Sequence, residues 1–157
     1  MKVVLFCGGM GTRLKEFSET IPKPLVDVGG TPIIMHLMRY YAHFGHKDFI
    51  VCLGFGAEYI KQYFLTYDEC LASDFVYAQG GKRIELANNH MSDWTITFVD
   101  TGLYTNIGER LKAVRKYVGS DEVFMANYAD GLTDLDLGEY LKFFLRQNRL
   151  ASFVSVR

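Results

Sequence analysis

The sequence predicts an α/β protein with a mostly parallel sheet and helices on both of its faces. Short apolar runs alternate with segments of helical periodicity, and most of these runs are apolar at successive positions rather than at every second one. Such strands are buried on both sides, as in a parallel sheet covered by helices. The 157 residues are enough for one domain, residues 1–157, with a sizeable core.

The predicted strands and helices alternate in order along the chain. The strands are rich in β-branched and aromatic residues, and the helices place apolar residues three or four positions apart. The predicted strands are Val3–Phe6, Phe49–Leu53, Thr95–Val99, Val123–Ala126 and Ala151–Val156. The first predicted helix begins at Pro32 and ends near Gly45. The other predicted helices cover Ala57–Phe64, Glu109–Tyr117 and Leu137–Asn148.

The stretch 74–93 departs from this alternation. It is polar, and the run Gly80-Gly81-Lys82-Arg83 lies near its middle. We expect it to be an irregular excursion from the domain, with a long solvated loop as the open alternative.

Composition excludes several classes of partner. The net charge of −1 predicts no broad basic surface for nucleic acid. No apolar run reaches the roughly 18 residues that a membrane-spanning helix needs, and the apolar start of the chain is too brief for a signal peptide. Cys7, Cys52 and Cys70 are odd in number and widely spaced, so we expect reduced thiols and a cytoplasmic protein.

The most informative motif, Gly8–Arg13, follows the first predicted strand. Three glycines allow backbone N–H groups to approach a ligand closely, and Arg13 adds a planar cation suited to phosphate oxygens. The string is not a P-loop, and Leu14 stands where the dinucleotide fingerprint needs Gly, which disfavours a nicotinamide dehydrogenase. The motif predicts a triphosphate cradle, with a simple tight turn as the alternative.

Three further charged residues are candidates for chemistry. Lys23 lies between Pro22 and Pro24, which stiffen the backbone around its ammonium group. Arg110 lies in the first turn of a predicted helix, where anions are attracted. Asp130 follows a predicted strand, where a carboxylate could bind Mg²⁺ together with phosphate oxygens. A solvated Lys, an ordinary surface Arg and a turn Asp remain the alternatives.

Several motifs along the chain resemble the signature of the sugar-phosphate nucleotidyltransferases, and they follow one another in the same order as in that family. The resemblance extends over nearly the whole chain and is strongest to the glucose-1-phosphate cytidylyltransferase branch. The motifs are Gly8–Leu14, Pro22–Leu25, Gly29–Ile33, Asp48–Gly54, Ile60–Phe64, Val99–Gly102, Gly108–Lys112 and Tyr128–Gly131.

This resemblance implies a Rossmann-like nucleotidyltransferase fold. It also implies a reaction of CTP with glucose 1-phosphate that gives CDP-glucose and pyrophosphate, with Mg²⁺ as cofactor. Arg13 and Lys23 would be catalytic, Asp130 would bind the metal, and the 74–93 excursion would contribute to subunit contacts in a homo-oligomer. By the family pattern the nucleotide would be bound by Gly8, Gly9, Gly11, Thr12, Arg13, Lys23 and Arg110.

Two departures from the family pattern qualify this expectation. Ala129 stands where the family usually has Gly, next to Asp130. The family is also considerably longer, and its remaining half brings a second metal-binding Asp and the Glu-Lys pair that grips the sugar phosphate. We therefore expect a fold that is incomplete at its C-terminus. A catalytically weak nucleotide-binding module or assembly subunit remains the alternative function. The base stays open, because CTP, UTP, dTTP and GTP enzymes share the front loop.

Overall fold

The structure of the protein is a computed structural model, which describes residues 1–9, 21–87 and 91–155. Its elements alternate largely as the sequence predicts. The strands are β1 (Lys2–Phe6), β2 (Asp27–Val28), β3 (Thr31–Pro32), β4 (Asp48–Leu53), β5 (Phe75–Ala78), β6 (Arg83–Leu86), β7 (Thr95–Asp100) and β8 (Met125–Tyr128). The helices are α1 (Ile33–His43), α2 (Ala57–Leu65), α3 (Glu69–Ala72), α4 (Ile107–Val118) and α5 (Leu137–Gln147), with short 3₁₀ turns at Lys23–Leu25 and Gln79–Gly81.

The central sheet has four parallel strands in the order β7-β4-β1-β8. Val4 of β1 lies opposite Ile50 of β4 on one side and Ala126 of β8 on the other. The predicted parallel sheet is confirmed. All four strands end at the same edge, which brings the loops that follow them together.

The core lies on both faces of this sheet, as predicted. Val3 and Leu5 of β1 face one way and pack in the larger cluster with Leu37 and Met38 of α1. Val4, between them, faces the other way and packs in a second cluster with residues of α4, among them Val114. Because successive side chains of a strand point to opposite faces, a strand with helices on both sides needs the unbroken apolar run seen here.

The last two predicted strands differ from the structure. β8 covers Met125–Tyr128, two residues later than predicted, because its ladder follows the register of β1, where Val3 lies opposite Met125. The predicted strand Ala151–Val156 is wrong over its described part: residues 151–155 form no strand. An apolar run becomes a strand only when a partner strand satisfies its backbone groups.

The stretch 74–93, predicted to be irregular, contains a regular hairpin. β5 and β6 form an antiparallel two-stranded sheet with Phe75 opposite Leu86 and Ala78 opposite Arg83. This sheet is separate from the central one, and Tyr77 of β5 is 65% exposed. Within the described part of the chain, no helix is long and apolar enough to span a membrane.

Candidate functional site

The candidate site lies at the carboxyl ends of the four parallel strands. The loop after β1 carries Gly8 and Gly9, and the loop after β4 carries Gly54 and Gly56. Thr101 follows β7, and Asp130 follows β8. Residues from four distant parts of the sequence therefore meet at one edge, where ligands bind in open α/β sheets.

The two described glycines of the predicted phosphate cradle have different surroundings. Gly8 is buried, and a Cβ atom there would overlap the guanidinium of Arg110. Gly9 is exposed, and a Cβ atom there would meet none of the described residues within 4 Å. Gly11, Thr12 and Arg13 lie outside the described residues, and their predicted roles stay predictions.

Arg110 is a buried cation directly beneath Gly8. Its residue is 3% exposed, in the first turn of α4, which begins with a capping box between Asn106 and Glu109. The nitrogen Nη1 donates to the carbonyl oxygen of Leu53 (3.0 Å) and to Oγ1 of Thr101 (2.6 Å). The nitrogen Nη2 donates to the carbonyl oxygens of Gly8 (3.1 Å) and Leu103 (3.3 Å).

These four bonds connect the ends of three neighbouring strands. Gly8 follows β1, Leu53 ends β4 and Thr101 follows β7. The two terminal nitrogens of an Arg carry four hydrogens, the same number as the bonds observed. A phosphate contact by these nitrogens would therefore require Arg110 to exchange one of its protein partners. The role of Arg110 as a nucleotide contact stays a prediction.

The structure brings Lys23 and Asp130 together from opposite ends of the sequence. Nζ of Lys23 lies 3.9 Å from Oδ2 of Asp130, and the two side chains are 22% and 44% exposed. Such a partly exposed ion pair contributes little to stability, so both groups remain available to a ligand. Their meeting brings a cation suited to phosphate and a carboxylate suited to a metal to the same edge of the sheet as the cradle.

The local structure around each partner explains its position. Lys23 begins a 3₁₀ turn in which the N–H of Leu25 donates to the carbonyl of Pro22 (2.8 Å). Asp130 follows Ala129, whose N–H donates to the carbonyl of Phe6 (3.3 Å) and prolongs the pairing of β8 with β1. Ala129 is buried in the larger core cluster, so its additional methyl group, compared with the Gly usual in the family, packs into the core.

The donor set fits a metal that is bound mainly by its substrate. Among the described residues no group of three or more His, Cys, Asp and Glu side chains could enclose an ion. Mg²⁺ commonly takes one or two protein carboxylates and completes its shell with phosphate oxygens and water. The half-exposed carboxylate of Asp130 can supply one such oxygen ligand.

The thiols near the site are not suited to nucleophilic chemistry. Burial raises the pKa of Cys7 far above its usual value and raises the pKa of Cys52 to about 11, although the nearby Arg110 opposes both shifts. At neutral pH both thiols are therefore protonated, and a protonated thiol is a poor nucleophile. Cys7 and Cys52 act as small apolar core residues.

The loop after β4 carries two glycines for which the sequence predicted no role. A Cβ atom on Gly54 would lie 2.8 Å from Cα and from the carbonyl oxygen of Gly8. Gly56 has a φ of +65°, and its Cβ atom would lie 2.8 Å from Cγ of Pro22. The signal in the sequence was the pair of glycines directly after an apolar strand, a pattern typical of close backbone approach.

The comparisons with known proteins agree with this geometry. The profile of the Nucleotidyl transferase family matches residues 2–156. The glucose-1-phosphate cytidylyltransferase of Salmonella typhimurium is 39% identical over 155 residues, and a probable glucose-1-phosphate cytidylyltransferase of Bacillus subtilis is 36% identical over 156. Each alignment covers 99% of this chain, which spans 60% of the length of these relatives.

A solved structure shows the same architecture. HddC from Yersinia pseudotuberculosis, in a crystal structure with GMP-PN, superposes with a TM-score of 0.67 at 25% identity. The superposition covers 92% of this chain and 54% of that one. The family profile covers nearly all of the sequence, and the parallel sheet with helices on both faces is that of a Rossmann-like nucleotidyltransferase. The chain therefore belongs to the nucleotidyl transferase family.

Proposed function

We propose that this protein transfers a nucleotidyl group from a nucleoside triphosphate to a sugar 1-phosphate and releases pyrophosphate. The observation that carries the proposal is the meeting of Lys23 and Asp130 at the strand ends, on the edge that also carries Gly8 and Gly9 of the predicted phosphate cradle. The similarity to two glucose-1-phosphate cytidylyltransferases favours CTP and glucose 1-phosphate as the substrates.

The reaction requires alignment of the two substrates and neutralisation of the negative charge on their phosphate groups. An oxygen of the sugar phosphate attacks the α-phosphorus of the nucleotide, and the bond from that phosphorus to the pyrophosphate oxygen breaks. The attacking group is already an anion, so the reaction needs no general base. The protein contributes by aligning the two substrates and by stabilising the negative charge that shifts to the leaving pyrophosphate.

The described residues supply parts of this machinery. The ammonium group of Lys23 faces the carboxylate of Asp130 across 3.9 Å, and an ammonium group can donate hydrogen bonds to phosphate oxygens. Asp130 would hold Mg²⁺, which neutralises phosphate charge and orients the phosphate chain when it is bound. Arg110 bonds the carbonyl of Gly8 and so fixes the base of the cradle. We assign Arg13 to the phosphates as well, from the motif alone.

The nucleotide base is tested most directly by thermal-shift measurements. A ligand that binds the folded state raises the apparent melting temperature by mass action. We expect CTP with Mg²⁺ to raise it more than UTP, dTTP or GTP at equal concentration. The guanine analogue named for HddC makes GTP the most informative competitor. A larger shift with GTP would overturn the assignment of CTP while leaving the reaction class intact.

A second candidate function is a nucleotide-binding module without turnover. The chain spans 60% of the length of the relatives that it matches. The resemblance to the family implies that the Glu-Lys pair that binds the sugar phosphate lies in the remaining part. Calorimetric titration with CTP and a pyrophosphate-release assay with glucose 1-phosphate separate the two functions. Binding without release of pyrophosphate would support the module, and release of pyrophosphate would support the enzyme.

We also propose that the protein forms a homo-oligomer through the hairpin of β5 and β6. A lone two-stranded hairpin is marginally stable in water, and this one exposes Phe75, Val76, Tyr77 and Ile84. Burial of these side chains against a second copy would stabilise it. Size-exclusion chromatography with light scattering measures the oligomer. A monomer at all concentrations would contradict the proposal.

The proposed partners are therefore the nucleoside triphosphate, the sugar 1-phosphate and further copies of the chain. We propose a cytoplasmic location, which the three free thiols support because thiols stay reduced there.

A further inference from the structure

The loop from Gly54 to Gly56 contacts two parts of the candidate site, Gly8 and the residue before Lys23. It follows β4 directly and ends at the first turn of α2, where the N–H of Ile60 donates to the carbonyl of Gly56 (3.3 Å). Ile60 is fully buried, which anchors α2 to the core. A rigid strand and a rigid helix therefore hold the loop at its two ends.

One contact of this loop is with the phosphate cradle. The N–H of Phe55 points at the carbonyl of Gly8 at 3.5 Å, and Gly54 lies against the backbone of Gly8. A Cβ atom on Gly54 would come within 2.8 Å of Gly8 and 2.9 Å of Nη1 of Arg110. Two of the three atoms that this Cβ would meet, Cα and the carbonyl oxygen of Gly8, belong to the backbone, so they cannot move aside as the end of a flexible side chain would. The backbone of Gly8 can occupy its observed place only while residue 54 has no side chain.

The other contact is with the residue that precedes Lys23. The ring of Pro22 packs on Gly56, so that an added Cβ atom would lie 2.8, 3.0 and 3.1 Å from Cγ, Cβ and Cδ of the ring. The carbonyl of Pro22 accepts from the N–H of Leu25 in the turn that Lys23 begins. Any displacement of the Pro22 ring is passed to Lys23, because the proline and this turn restrict the intervening backbone.

We propose that the loop from Gly54 to Gly56 is a positioning element that sets the place of Lys23 through the contact of Gly56 with Pro22, and the place of Gly8 through Gly54. Its consequence for nucleotide binding rests on the proposed function. The position of Lys23 itself does not, and it can be measured without any nucleotide.

The experiment compares Gly56→Ala with Gly45→Ala. Both glycines have a positive φ, +65° and +82°, so both variants carry a similar backbone strain. A Cβ atom on Gly45 meets no atom of the described residues within 4 Å, and Gly45 lies in the loop before β4, at the opposite edge of the sheet. The pair therefore separates the contact with Pro22 from strain alone.

The first measurement uses NMR of the whole chain after reductive methylation of its lysines with ¹³C, with the Lys23 signal assigned by its loss in Lys23→Arg. We expect Gly56→Ala and Pro22→Ala to move the Lys23 signal, and Gly45→Ala to leave it in place. Pro22→Ala keeps the test decisive if Gly56→Ala fails to fold. An unmoved Lys23 signal in Pro22→Ala and in any folded Gly56→Ala would overturn the proposal.

The second measurement is the affinity for CTP by calorimetry. We expect Gly56→Ala to weaken it about tenfold more than Gly45→Ala does, the size of one lost charged phosphate contact. In a Pro22→Ala background, which lacks Cγ and Cδ, Gly56→Ala should cost less, because the two changes act on the same contact. Equal losses in both backgrounds would contradict the route through Pro22. If wild type does not bind CTP but the Lys23 signal moves as expected, the choice of CTP fails and the positioning role stands.

Discussion

Replacing Arg110 with Met removes a buried guanidinium while keeping a straight, apolar side chain of similar course. Its four hydrogen bonds connect Gly8, Leu53, Thr101 and Leu103, and so join the ends of β1, β4 and β7. We expect Arg110→Met to lower the free energy of unfolding and to loosen the base of the phosphate cradle.

The expected loss is smaller than the sum of four charged hydrogen bonds, because several acceptors retain a second donor. The carbonyl of Leu53 also accepts from the N–H of Thr101 (3.0 Å) and from its hydroxyl (2.7 Å). Leu103 is exposed, so water can replace Arg110 there. The substitution also removes the cost of burying a charge. About one or two acceptors remain uncompensated, at about 1–3 kcal/mol each, which predicts a loss of about 2–3 kcal/mol.

Denaturant unfolding measures this loss, and thermal unfolding should show a decrease of about 4–12 °C for a chain of this length. Arg115→Met is the matched control, because Arg115 lies on the same helix with its side chain exposed. We expect that control to change stability by less than about 0.5 kcal/mol. Amide exchange at Gly8 and Gly9 should accelerate in Arg110→Met only.

Equal stability of Arg110→Met and Arg115→Met would refute the reasoning. It would mean that the four bonds only offset the cost of burying the guanidinium. The strand ends would then be held by the backbone hydrogen bonds of the sheet itself. A loss of stability without faster exchange at the cradle would confine Arg110 to a general role in the core.

Three further predictions concern the candidate site. Arg13→Ala should lower nucleotidyl transfer about 10²–10³-fold in steady-state assays, the usual effect of losing one charge-stabilising donor; a loss below about threefold would remove Arg13 from the catalytic groups. Asp130→Asn should leave the circular dichroism spectrum unchanged and shift the activity to higher Mg²⁺ concentration, because an amide carries no charge for the metal; an unchanged Mg²⁺ curve would make Asp130 a turn residue. Cys7 and Cys52 should not react with a thiol reagent at pH 8, because burial raises the pKa of both and the thiolate is fully available only above those values; rapid labelling of the native protein at either thiol would contradict their burial.

The amino-acid pattern alone was enough for the class of fold. The unbroken apolar run Val3–Phe6 can be buried only between two layers, and the structure divides it between two core clusters. The periodicity likewise placed α1, α2, α4 and α5 to within a few residues, since an apolar face repeats within each helix. Both signals, the apolar run and the helical periodicity, involve residues that are close in sequence, so they are visible without the tertiary structure.

Strand boundaries depended on partners that the pattern does not contain. The segment from Val123 to Ala126 is apolar throughout, yet its pairing with β1 begins at Met125, opposite Val3. Residues 151–155 form no strand. Propensity makes a strand possible, and only a neighbouring ladder with free backbone groups makes it form.

The candidate site shows the same division between local signal and tertiary placement. The residue types of Gly8, Lys23, Arg110 and Asp130 already indicated phosphate and metal chemistry. Only the tertiary structure brings Nζ of Lys23 to 3.9 Å from Oδ2 of Asp130, and only helix packing directs Arg110 under Gly8. The chain carries the chemical groups, and the tertiary structure decides which of them face a ligand. Contacts between residues so far apart in sequence form only when the whole sheet and its helices assemble.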